Sequence, residues 1–168
     1  MNYDIYGLSA GRNEYTVERF LVHFCDRTRI EPLVDQWLQV WPNEKYQAPD
    51  VEMPLHSIAE LIAYAVANPN HAFVFYNKNG LRKDVTSTII KFTYDGKVVF
   101  GVSVKGGDNY EQAYKVEAEI RRVTGAYKSY IAAEYPPADD EEEFNEDVAM
   151  WKDLRDSFER DNPDLVSR

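Results

Sequence analysis

Apolar and polar positions along the chain change period several times, and each change marks an element. Residues 2–8, NYDIYGL, set Tyr3 and Ile5 against Asp4 and Tyr6, the two-residue period of a short strand. After the loop SAGRNE, Val17, Phe20, Leu21 and Phe24 recur at helical spacing, with Thr16 placed to cap the helix. In residues 31–44, EPLVDQWLQVWPNE, the positions Leu33, Trp37, Leu38 and Trp41 fit one helix face with Pro32 in its first turn. WLQVW fits a strand as well, and the helix is the preferred reading. The stretch on to residue 56 holds Pro42, Pro49 and Pro54 and predicts an irregular connection.

The clearest helix is SIAELIAYAVANPN, residues 57–70. Ser57 and Glu60 have the spacing of a capping box, Ile58, Leu61, Ile62 and Ala65 make its buried stripe, and Asn68-Pro69 ends it. HAFVFY (71–76) reads as a strand that ends at the turn from Asn77 to Gly80. Residues 86–107 predict a hairpin whose register follows from burial. A two-residue loop at Asp95-Gly96 would split the apolar side chains between both faces. A three-residue loop, Tyr94-Asp95-Gly96 with Gly96 left-handed, pairs Phe92 with Val98, Ile90 with Phe100 and Thr88 with Val102, and one face becomes almost wholly apolar. A helix follows over 109–125, with Ala113, Val116, Ile120 and Val123 inward and Gly125 as its left-handed cap. AYKSYIAAEY (126–135) is then a strand ended by Pro136-Pro137. The last helix starts near residue 140, with Phe144, Val148, Trp151 and Phe158 on one side. Together these elements predict an α+β fold: one domain over 1–168, an antiparallel sheet of about five strands, helices packed on one face, and an acidic C-terminal helix over 140–160.

Charge adds what periodicity cannot. The net charge is −10. Residues 139–168 hold twelve acids and four bases, whereas residues 1–138 hold seventeen acids and fifteen bases, so the field belongs to the C-terminal segment. That end repels phosphate backbones, which argues against a nucleic-acid partner, and it attracts a basic protein. No apolar run approaches the length of a membrane span, so no membrane partner is expected. The opening residues lack a basic segment followed by an apolar one, so a cytoplasmic location is expected.

Reactive machinery is sparse. The sequence has no phosphate-binding glycine loop, nucleophile elbow, H-E-x-x-H pair or EF-hand loop. Cys25 is the one cysteine and reads as a buried small hydrophobe. His23, His56 and His71 sit singly in different elements, and neither cofactor nor metal is expected. Glu134, at a strand end before two prolines, is the carboxylate placed best for acid–base work. An exposed strand terminus is its plainer reading.

PPADDEEEFNED (136–147) carries seven acids and no base. One or two acids complement a helix N-terminus, each stabilising by about 0.3–1 kcal/mol. Seven exceed that need, which leaves either solubility or a docking surface. Asp139, Asp140, Glu141, Glu142, Glu143, Glu146 and Asp147 are therefore the candidate partner-binding residues. The strings FTYDGKVVFGVSV and YIAAEYPPADDEEEF, with a helix between them, resemble the hairpin–helix–strand–"E-x-P-P…EEF" ending of small bacterial immunity proteins, over roughly residues 70–144. That resemblance implies a single acidic domain without catalysis, which binds a cognate toxin domain and blocks its active site. The expected partner is then a basic toxin, for example a nuclease. Two alternatives stay open: a small-ligand-binding protein or enzyme with a pocket lined by some of the twelve tyrosines, and a subunit of a homo-oligomer.

Overall fold

In a computed structural model of the chain, which describes residues 1–30, 36–42 and 51–166, Phe92 faces Val98, Ile90 faces Phe100 and Thr88 faces Val102. This is the register that burial favours. Gly96 turns the loop at φ +79°, and Thr93 closes it with backbone bonds to Gly96 and Lys97. The hairpin joins β5 (Ser87–Phe92) to β6 (Val98–Lys105). Around it stand β1 (Asn2–Ser9), β4 (His71–Asn77) and β7 (Lys128–Ala133). These five form a continuous antiparallel sheet in the order β4-β5-β6-β1-β7. The fold class is α+β, as the patterning predicts.

Two more strands extend the sheet beyond β4: β2 (Gln36–Pro42), beside β4, and β3 (Val51–Leu55), at the edge. They correct two sequence expectations. Residues 36–42 are a strand where the sequence pattern favours a helix, and residues 51–55 are a strand where the prolines predict an irregular connection. Residues 31–35 and 43–50 of those stretches lie outside the described residues. Proline is tolerated at position 54 because β3 is the edge strand, where an amide can go unpaired.

One face of the sheet, the inner face, is covered by α1 (Glu14–Phe24), the single turn α2 (Arg27–Ile30), α3 (Ile58–Ala67) and α4 (Tyr110–Thr124). The predicted stripes of α1, α3 and α4 are all buried there: Val17, Phe20, Leu21 and Phe24; Ile58, Leu61, Ile62 and Ala65; Ala113, Val116, Ile120 and Val123. Gly125 closes α4 at φ +68°. The cap of α1 differs from expectation. Asn13 accepts the bond from the Thr16 amide, so Thr16 lies inside the helix. In the capping box of α3, Ser57 accepts from the Glu60 amide, while Glu60 accepts from the amide of His56.

The loop before α1 hides a structural cation. The Arg12 guanidinium donates to the carbonyls of Ala65 (2.9 Å), Asn68 (2.5 Å), His71 (2.6 Å) and Thr93 (2.7 Å), and lies over the ring of Phe92. It thereby ties the C-terminus of α3, the start of β4 and the hairpin loop together. Burial pulls its pKa down to about 10.

The C-terminal segment departs from one-sided cover. β1, β6 and β7 carry apolar residues at both parities, and Tyr6, Leu8, Val99, Tyr130 and Ala132 form a second cluster on the outer face. α5 (Glu141–Met150) packs there through Phe144. The chain breaks at Trp151, and α6 (Lys152–Asp161) packs Leu154 and Phe158 against the inner cluster beside Tyr110. The two helices thus straddle the β7 edge, and Arg155 pairs with Glu117 of α4. The single helix with Phe144 and Phe158 on one side is corrected: those rings serve opposite faces of the sheet. A short helix, α7 (Pro163–Val166), follows.

Candidate functional site

Between β7 and α5, residues 134–140 cross the outer face as a strap. Glu134 opens it with φ +49°, a left-handed conformation that disfavours a side chain with a Cβ. The Tyr135 amide donates to Asp4 Oδ2 (2.9 Å), and the Tyr6 hydroxyl donates to the Tyr135 carbonyl. Ala138 is buried, and Asp139 reaches the buried Lys91 ammonium at 2.9 Å. The strap is therefore fixed at both ends by polar contacts to the sheet.

The seven candidate acids divide by role. Asp139 holds Lys91. Asp140 caps α5, accepting from the Glu143 amide at 2.8 Å. Glu141 accepts from the Tyr127 hydroxyl and lies 3.4 Å from the Lys128 ammonium, and the Tyr127 bond holds its carboxyl below the usual range. Asp147 is 2% exposed and accepts from the Tyr130 hydroxyl at 3.1 Å. Burial pushes its carboxyl up, and the charges of Glu143 and Glu146 add to that. Glu142 and Glu146 are exposed, and Glu143 is half-exposed. Asp139, Asp140, Glu141 and Asp147 thus hold α5 and the strap to the sheet, and Glu142 and Glu146 carry the most outward charge of the run.

Glu134 stands at the rim of a cleft of about 390 Å³, between the strap and the part of the outer face that α5 leaves bare. Asp4, Tyr6, Tyr76, Ser87, Ile89 and Ser103 rise from four neighbouring strands to line it, with Tyr135, Pro136 and Pro137 as its wall. Gly101 permits the close floor. A Cβ there would stand 2.4 Å from the Ile89 side chain and 2.7 Å from the Tyr6 ring. Asp4 accepts from Ser103 Oγ at 2.5 Å. Burial raises its carboxyl above the ordinary value, although the bonds from Ser103 and Tyr135 work against that. The sequence signal for this cleft was the pair of serines at alternating positions in otherwise apolar strands. Nothing local marked Asp4 as their neighbour.

The histidines do not line the cleft. His23 meets Glu119 at 2.5 Å, beside Arg82, and His71 Nδ1 meets the Tyr64 hydroxyl at 2.7 Å. Cys25 caps α1 and is buried, and burial pushes its thiol up. Among the described residues no group of His, Cys, Asp and Glu could hold a metal ion, and no helix is long and apolar enough to cross a membrane. Large exposed apolar side chains are dispersed, with Tyr15, Val22 and Val66 on the inner helices and Tyr76, Tyr127 and Met150 elsewhere. No protein family, curated protein or solved structure matches the chain.

Proposed function

We propose that the chain is a non-catalytic binding domain that engages a basic protein through the outward side of α5, in the manner of an immunity protein occluding a toxin's active site. The observation that carries this reading is the division of labour within α5. Phe144, Asp140, Glu141 and Asp147 hold the helix to the sheet, so the exposed Glu142 and Glu146 are presented from a fixed platform. Charge at defined positions steers encounter without the entropy loss of ordering a tail. Tyr127 and Tyr76, both exposed on the same side of the molecule, supply rigid aromatic area of the kind that holds partners once they meet.

The test is association kinetics with the purified products of the genes flanking this chain's gene, among which the reading expects a basic toxin domain. Glu142→Gln combined with Glu146→Gln should slow association by about fivefold or more at low salt, with the fold intact, and added salt should erase the difference. An unchanged on-rate, or the absence of any binding, overturns the reading.

A further inference from the structure

The cleft beneath the strap has features that neither folding nor the acidic face of α5 accounts for. By register, Ser87 of β5 stands opposite Ser103 of β6, and Ser103 stands opposite Asp4 of β1, so three polar side chains form a row on the outer face. Two of them are satisfied by each other and by the strap. Ser87 is not: it is 6% exposed, lines the cleft, and makes no side-chain hydrogen bond among the described residues. The cleft reaches that hydroxyl, which is therefore available to a ligand. The Glu134 carboxylate stands at the rim, 63% exposed. Among the described residues no lysine, arginine or histidine side chain lines the cleft, which holds two carboxylates, and the exposed Met1 ammonium pairs with one of them from outside.

We infer that this cleft binds a primary ammonium on a short apolar stem, the group that a lysine side chain and a free alkyl amine share. An ammonium has three donors, and Asp4, Ser87 and Glu134 offer three acceptors. The stem lies against Ile89, Pro136 and Pro137, with the Tyr76 ring beside it. The rim already draws such groups from the chain itself. Lys78 Nζ lies 5.4 Å from the centre of the Tyr76 ring, and the Met1 ammonium lies 3.5 Å from Glu134. The Met1 pair is exposed and yields readily to a ligand. A groove of about 450 Å³ between α1 and α4 is roomier, but Tyr15, Val22, Arg19 and Arg122 around it offer no comparable convergence of acceptors. The inference stands independently of the reading of α5.

The experiment is an amide chemical-shift titration of the whole chain with n-butylammonium and with Nα-acetyl-lysine N-methylamide, using n-butanol as the neutral control. Both ammonium compounds should move the amides of Asp4, Ser87, Ser103 and Tyr135 saturably, and butanol should not. Ser87→Ala and Glu134→Gln should each weaken binding by about fivefold. Neither side chain makes a contact on which the fold depends, so both variants stay informative if Asp4→Asn fails to fold. Tighter binding of the lysine derivative assigns the cleft to a basic protein, and equal or tighter binding of butylammonium assigns it to a free amine. Absence of a saturable shift, equal shifts with butanol, or unchanged affinity in both variants overturns the inference.

Discussion

On the inner face of the sheet, Ile5, Phe73, Ile90 and Phe100 share one large apolar cluster with Phe20, Leu61 and Val116, and Arg12 and the buried Glu117, each with its polar partners, sit at its margins. On the outer face, Tyr6, Tyr130 and Tyr135 bring polar groups to the packing, and Lys91–Asp139 and Tyr130–Asp147 lie within or beside it. The inner face supplies stability through area, which is non-directional. The outer face fixes position, because each polar pair satisfies only one arrangement of the strap and α5. Placement matters where a surface must present charges and acceptors to something else, and the exposed Glu142 and Glu146 of α5 and the polar cleft both lie on that side.

Removing Phe20, fully buried and 4.9 Å from the Phe100 ring, should break the inner face outright. Phe20→Ala should lower global stability by about 3–5 kcal/mol, read as a fall in the urea midpoint. Phe144→Ala should act on the other side and stay local. With its ring lost from against Tyr130, α5 and the strap should loosen at a cost of about 3 kcal/mol. Hydrogen exchange would then rise over residues 134–150 while β5 and β6 keep their protection. Equal loss of protection in both regions would show that the two faces are not separable.

Asp147 sharpens the comparison through pH. Its folded pKa is raised above 3.8, so folding favours the protonated form. Its contribution is greatest at low pH and falls as pH climbs from the unfolded value through the raised one. Asp147→Asn removes that loss, so the variant should gain stability relative to the parent chain as pH is raised from below the unfolded carboxyl value through the raised folded one, checked by urea unfolding from acid to neutral pH. A constant difference would mean that the carboxylate is not held in the surroundings described. The smallest effect belongs to Glu134→Gly. It relieves the φ of +49° and should leave the thermal midpoint unchanged or raise it by a shift worth about 1 kcal/mol, while weakening ammonium binding in the cleft.

The sequence disclosed most where neighbours in sequence are neighbours in space. The stripes of α1, α3 and α4 and the register of β5 with β6 follow from local period plus the demand for one apolar face. β2 escaped because the five residues WLQVW satisfy both periods. Pairing with β3 and with the start of β4, set by chain far from it, decides between them. Arg12 read as loop because its carbonyl partners are 53 to 81 residues away. The acidic run shows the same limit. Asp139 meets Lys91, Asp147 meets Tyr130, and only the fold tells these anchors from the outward-facing Glu142 and Glu146.

The most direct test of the outer face as the recognition surface is an amide shift map with a lysine-rich tetrapeptide added to the intact chain. The account predicts shifts confined to the outer face, at Glu142, Glu146, Tyr76, Ser87 and Ser103, that vanish with salt. Shifts centred on α1 around Tyr15 and Val22, or no saturable shifts, would contradict it.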